Sequence, residues 1–387
     1  MKRTALLIVC VMIILGSVSC RPRARPGQEP FPAARQEDNA VNELPIPVFI
    51  NYMNEGGRFE LPVSGSTGFA AVRLNLREAP GTAFTLLYTM SAGQPFTVLR
   101  EEGDWWFIEL PAAQERNARQ GWVMKRYTMI NLPDIIPSIV YNNTNTYYSL
   151  FRSSGIAIPN ITGAVLYHAS DFNERLGREE FIMPALYGMA LRIMAAQQAA
   201  LADGRTLVIY EAFRPHDAHQ KVYENFAYLF DTNQYVRDNI VTSGFTRIRF
   251  LAPSPWNHQR GTAIDVSLAR IHRKETNVTG DFSFTLITEY IEYEMQSPMH
   301  ELSVASAIFV QPVVTHSLTD WKRGVFRDDV TEGTFLLIEY MTGAGLTPLS
   351  SEWWHFNDIE TTDAAIAMGS VGRFQTERTF SRPPVSN

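Results

Sequence analysis

The sequence predicts an α+β domain preceded by a small all-β one, and three observations carry that reading. Between about Phe69 and Tyr127, short runs of alternating apolar and polar residues are broken by turns, as strands are. From about Pro133 to Phe374, strand-like runs are interrupted by helical ones, without the regular rhythm of repeated βαβ units. The chain has 387 residues, 45% of them hydrophobic, which is enough to fill cores in two or three domains.

The first residues stand apart from that fold. Lys2 and Arg3 precede an apolar run from Ala5 to Gly16, too short to span a bilayer comfortably. Residues 1–20 are therefore expected to be an export signal. The ending Ser17-Val18-Ser19-Cys20 resembles the lipobox of bacterial lipoproteins, with Ser17 where that pattern usually has Leu. The resemblance implies a lipid on Cys20 and a membrane-anchored protein of the bacterial cell envelope. Plain secretion with a free Cys20 is the alternative. Only Cys10 and Cys20 occur, so a mature chain has no internal disulfide and must be held by packing.

Residues 21–48 are rich in Pro, Arg and Ala with no sustained apolar period, and a disordered tether is expected over 21–64. A formal net charge of -6 argues against a nucleic-acid partner, which calls for a basic face.

In the all-β region, 65–130, Ala71 to Arg77 alternates apolar and polar, and Ala79-Pro80-Gly81 makes a turn. Gln94 to Arg100, Trp105 to Leu110 and Gly121 to Val123 supply further strands. So many short strands in a brief segment predict a small barrel. The opening Leu74-Asn75-Leu76-Arg77-x-x-Pro80, Asp104-Trp105-Trp106 and Gly121-Trp122-Val123 together resemble the bacterial SH3 domain. That likeness implies a module for binding cell-wall peptides; a spacer whose tryptophans only pack is the alternative.

The larger domain is expected over 133–375. Pro184 to Ala202 has Pro near its first turn, apolar residues at helical spacing, and Asp203-Gly204 as a stop. Thr206 to Tyr210 reads as a buried strand, Pro215 to Leu229 as a helix, and Ala263 to Leu268 as a strand. Thr331 to Met341 is helical, closed by Gly343 and Gly345, and Glu352 to Phe356 is a last strand. The polar residues 376–387 are expected to be a loose tail.

Three separated segments of this domain carry chemistry: Arg214-Pro215, His258 to Asp265, and Glu352-Trp353-Trp354-His355. Zinc in hydrolases takes three ligands from His, Asp or Glu and leaves its fourth position to water. His258 and Asp265 are seven residues apart, which suits a loop His and an Asp in the following strand. His355 can add the third ligand. Glu352 is the natural general base. On a regular strand it would face away from His355, so it must sit at the strand entrance or on a bulge. Arg214 can steady an oxyanion, or it can cap the next helix or pair with Glu211. Each fragment alone is weak. Of the 8 histidines, His216 and His219 read as a solvated helix face, and His168, His272, His300 and His316 have no partner at ligand spacing.

Taken together, the three segments resemble the D-alanyl-D-alanine dipeptidases of the vancomycin-resistance type and, more widely, the related D,D-carboxypeptidases. The likeness spans about residues 135–360. It rests on Phe213-Arg214-Pro215, on His258-Gln259-Arg260-Gly261-Thr262-Ala263-Ile264-Asp265, and on Glu352-Trp353-Trp354-His355. It implies one zinc ion per chain on His258, Asp265 and His355, Glu352 as acid–base, and Arg214 as stabiliser of the transition state. Trp353 and Trp354 are expected to pack. Two departures bear on substrate choice. Trp256 stands where that family usually has Ser, and His300 where it normally has an Asp able to hold a free amino end, although Glu301 could substitute.

The implied function is a zinc-dependent dipeptidase acting on cell-wall D-Ala-D-Ala. D,D-carboxypeptidase or endopeptidase action on longer peptidoglycan stem peptides is the near alternative. A non-catalytic wall-binding lipoprotein would have lost Glu352 or a ligand, and none is lost. A two-His-one-carboxylate iron oxygenase would place its carboxylate two residues after the first His, unlike Asp265.

Overall fold

Two sheets frame the site. The computed structural model describes residues 59–112, 119–253, 255–313, 317–370 and 372–384. The expected export signal, Cys20 and most of the expected tether lie outside the described residues. Among the described residues, no helix is long and apolar enough to cross a membrane.

The first sheet has eight strands. Its order is Pro184–Leu186, Thr128–Asn131, Thr67–Ala70, Pro95–Glu102, Trp105–Glu109, Gln120–Met124, Leu74–Arg77, Leu86–Met90. Period-two burial explains the strands read from sequence: Leu74 and Leu76 are buried while Asn75 is exposed, and Trp106 and Ile108 point inward between half-buried neighbours. The expected small barrel does not form, because this sheet stays open. Thr128–Asn131 pairs on its outer side with Pro184–Leu186, a strand supplied by a much later segment, and so does not return to Leu86–Met90. This also moves the start of the predicted 184–202 helix, which runs Tyr187–Ala202. A proline suits a first helical turn or an edge strand equally. The partner strand that decides between them is fifty residues upstream.

The second sheet runs Thr347–Leu349, Glu352–Asn357, Ala263–Thr279, Arg205–Glu211, Val140–Tyr141, with Phe282–Glu292 also paired to Ala263–Thr279. Only the Val140–Tyr141 pairing is parallel. Ala263–Thr279 is far longer than the six-residue strand read from sequence. Its apolar burial ends at Ala269, and beyond that Arg270, Arg273, Lys274 and Glu275 form a largely exposed arm paired with Phe282–Glu292. Hydrogen bonding, not burial, carries the strand there, and hydropathy cannot report it. The helices Tyr187–Ala202 and Glu332–Gly343 pack together beside this sheet, with Ile193, Leu337 and Ile338 fully buried.

The C-terminal residues, expected from their polarity to be loose, are tied to the first sheet. Phe380 donates its N–H to Thr67 Oγ1 at 2.7 Å, Phe380 O accepts from Thr97 at 2.8 Å, and Ser381 donates to buried Asp134 at 2.6 Å. All three partners lie about 250 residues or more away, which is why composition did not reveal them.

Candidate metal centre

His258 sits in the short helix Asn257–Arg260, which ends at Gly261 with φ +70°. That left-handed turn delivers the chain into Ala263–Thr279 with Asp265 as its third residue. Asp265 is the register partner of His355 on the neighbouring antiparallel strand. Glu352 opens the strand Glu352–Asn357, opposite Leu349, where the pairing with Thr347–Leu349 is irregular. The entrance position expected for it is the one it takes, and its carboxylate reaches to 3.8 Å from His355 Nδ1.

The three expected ligands converge. His258 Nε2, His355 Nδ1 and Asp265 Oδ1 form a triangle with sides of 3.1, 2.9 and 3.2 Å. Three donors at zinc-bonding distance around a tetrahedron would stand roughly 3.3 Å apart, so the triangle is close to the size zinc needs. The outer nitrogens are spoken for. His258 Nδ1 is 2.8 Å from Ala212 O, and His355 Nε2 is 3.1 Å from Asn357 Oδ1, itself fixed by Asn257 Nδ2 at 2.7 Å. Both acceptors fix a proton on the outer nitrogen, so the two inner nitrogens present lone pairs to each other. Burial further lowers the His355 pKa, and Asp265 only partly offsets this. Two lone pairs and a carboxylate oxygen facing one point call for a cation.

Asp265 is held on both oxygens. Oδ2 accepts from Arg214 Nη2 at 3.1 Å and lies 3.2 Å from His300 Nε2. Burial alone would push its carboxyl up, and its contacts with His258, His300 and His355 hold it well below the usual range. Arg214 also donates from Nε to Glu211 at 2.6 Å, contacts His219 Nδ1 from Nη1 at 3.2 Å, and lies over the Phe151 ring. Pairing with Glu211 and a place in the site are therefore both realised. Five N–H donors leave at least one free to face a substrate. Glu211 is completed by Tyr167 and Asn145. Glu211, Asp265 and His300 form a second cluster of metal-binding type. The guanidinium of Arg214 bridges Glu211 and Asp265 there, so a cation already balances those two carboxylates.

Glu352 is different. It is buried with Oε1 lacking a hydrogen-bond partner among the described residues. Burial, with the nearby Asp265 charge, raises its pKa well above the ordinary value despite Arg214.

Two histidines depart from the sequence reading. His219 is buried, not solvated: Nε2 is bonded to Ala252 O at 2.8 Å and Nδ1 meets Arg214, and burial with that positive charge pushes its pKa down to about 3. His300 is fully buried, stacked on Phe151 at 4.2 Å and joined to Asp265. A chain separation of 35 residues hid that partnership. Glu301 accepts from the backbone N–H groups of Ser154 and Gly155.

Over 197 residues the chain is 29% identical to a protein of Escherichia coli (strain K12), an alignment covering 51% of this chain and 72% of that relative. That relative is a D-alanyl-D-alanine dipeptidase. Residues 72–128 match the bacterial SH3 domain family. The likeness and the ligand clusters support a metal-dependent hydrolase at the family level.

Proposed function

We propose that this chain is a zinc-dependent peptidase hydrolysing D-Ala-D-Ala in cell-wall peptides, with zinc on His258, Asp265 and His355. The observation that carries this is the inward-facing triangle of those three ligands, with the unpartnered carboxylate oxygen of Glu352 beside it. Zinc held there supplies a Lewis acid and makes water a nucleophile at neutral pH. Glu352 takes the proton of the attacking water and returns it to the leaving amine, a role suited to its raised pKa. Arg214, held rigid by Glu211, Asp265 and His219, donates to the oxygen that becomes negative. The proposal includes export, a lipid anchor at Cys20, an SH3-like module over 65–130 that engages wall peptides, and a peptidase domain over 133–375.

One observation favours longer stem peptides as a second reading. Glu301 is committed to the 154–155 backbone, and Glu211 and Asp265 to Arg214, so among the described residues lining the cleft Glu352 is the one carboxylate left to face a free ammonium. The test incubates the zinc-loaded protein with D-Ala-D-Ala and with a pentapeptide ending in D-Ala-D-Ala, measuring released D-alanine beside Glu352→Ala. Cleavage of the dipeptide, lost in the variant, supports the dipeptidase. Cleavage of the pentapeptide alone supports the carboxypeptidase. Silence on both with zinc bound overturns the dipeptidase and carboxypeptidase readings and leaves an endopeptidase or a wall-binding role.

A further inference from the structure

The cleft above the ligands has a rim whose chemistry the peptidase reading does not use. Its volume is about 110 Å³. Ile248, Arg249 and Trp256 line this cleft, and all three are exposed, Ile248 by 55% and Trp256 by 49%. Two large apolar side chains exposed at the mouth of a buried polar site mark a contact surface.

Arg249 stands between them. No ion pair or side-chain hydrogen bond engages its guanidinium among the described residues, whereas the other cleft arginine, Arg214, is bound to Glu211 and Asp265. Its backbone is also fixed relative to the chemistry: Ser351, the neighbour of Glu352, donates from Oγ to Arg249 O at 2.6 Å. The segment bearing this charge is thus pinned to the strand entrance that bears the acid–base. The Trp256 backbone is fixed as well, its main-chain N–H donating to Gln259 Oε1 in the helix that carries His258.

We infer that Arg249, Trp256 and Ile248 form the pocket for the carboxyl-terminal residue of the substrate. The free carboxylate meets the Arg249 guanidinium, a charge-assisted contact, and a small apolar side chain lies against Trp256 and Ile248. This rests on the peptidase reading and deepens it: the enzyme removes a terminal residue and is not an endopeptidase.

The test compares a D-Ala-D-Ala substrate that the zinc-loaded protein cleaves with the same molecule as its terminal carboxamide, in wild type, Arg249→Met and Arg249→Lys. The free acid is preferred by the wild type. Arg249→Met lowers kcat/KM on the acid roughly tenfold or more, chiefly through KM, with a much smaller loss on the carboxamide. Arg249→Lys recovers part of that preference. Equal losses on acid and carboxamide, or an unchanged preference, overturn the assignment. Should wild type cleave nothing with zinc bound, the dipeptidase and carboxypeptidase readings fail by themselves, and calorimetry with D-alanine and D-alaninamide decides the pocket. D-Alanine bound more tightly than its amide by wild type, but not by Arg249→Met, supports it. Equal binding by the two proteins, or none by either, overturns it.

Discussion

Asp265 and His355 stand directly opposite each other on neighbouring antiparallel strands, which places Oδ1 2.9 Å from Nδ1. Strand register, not a loop, therefore sets two of the three candidate ligand positions, and His258 is brought to them by one tight turn. Rigid elements hold ligand geometry better than loops do. On the proposed zinc site, wild type is expected to hold one ion per chain and Asp265→Asn and His355→Ala only a small fraction of that, measured by elemental analysis after dialysis. Chelation should lower the melting temperature of the wild type and leave both variants nearly unmoved, because a ligand stabilises only the state it binds.

Glu352→Gln keeps the shape of the side chain and removes its ability to take a proton. It is expected to retain zinc and lose about 10²- to 10⁴-fold in kcat. Zinc content and steady-state kinetics on one preparation check this. A variant that loses zinc along with activity would instead make Glu352 a ligand.

Arg214→Lys cannot reproduce the contacts to Glu211, Asp265 and His219 at once. A fall in kcat of about 10²- to 10³-fold is expected if it steadies the oxyanion. The buried carboxylate Glu211 also loses a partner, and broken buried pairs cost about 3–5 kcal/mol. Thermal unfolding separates the two effects: kinetics measured well below both melting temperatures should still show the kcat loss.

Gly261→Ala tests the turn that presents His258. A Cβ there would stand 2.8 Å from Met129 Sδ and 3.1 Å from Leu186 N, at φ +70°. Overpacking of this kind costs about 1–3 kcal/mol, and zinc affinity should fall with it as the His258 turn shifts. Met129→Ala, which truncates a fully buried side chain, lowers the melting temperature by itself, but the two changes together should cost less than their sum, because the second removes the sulfur that the first clashes with.

The five residues read as site chemistry from sequence come together in space, and the reason lies in how they are spaced. His258–Asp265 spans one turn and a strand start, and Glu352–His355 lies on one strand; local spacing carries such pairs. Arg214 was legible as a residue at a strand end, but its bonds to Asp265 and His219 were not. His219 misled because position on a helix says nothing about which neighbour covers it, and here Arg214 and the Ala252 carbonyl do.

The sequence alone determined the strands and helices whose apolar residues repeat with period two or 3.6, and the types of ligand available, because both are local properties of the chain. Tertiary structure decided that the first sheet stays open, since Pro184–Leu186 takes the edge that closure would have needed. It decided that Phe380 and Ser381 are pinned near that sheet, to its Thr67 and Thr97 and to Asp134 in the turn that follows it. It also decided that His300 and Arg214 share one oxygen of Asp265 while His258 and His355 share the other. Those outcomes depend on burial and hydrogen bonding between residues tens to hundreds of positions apart, and such contacts leave no periodic trace in the chain.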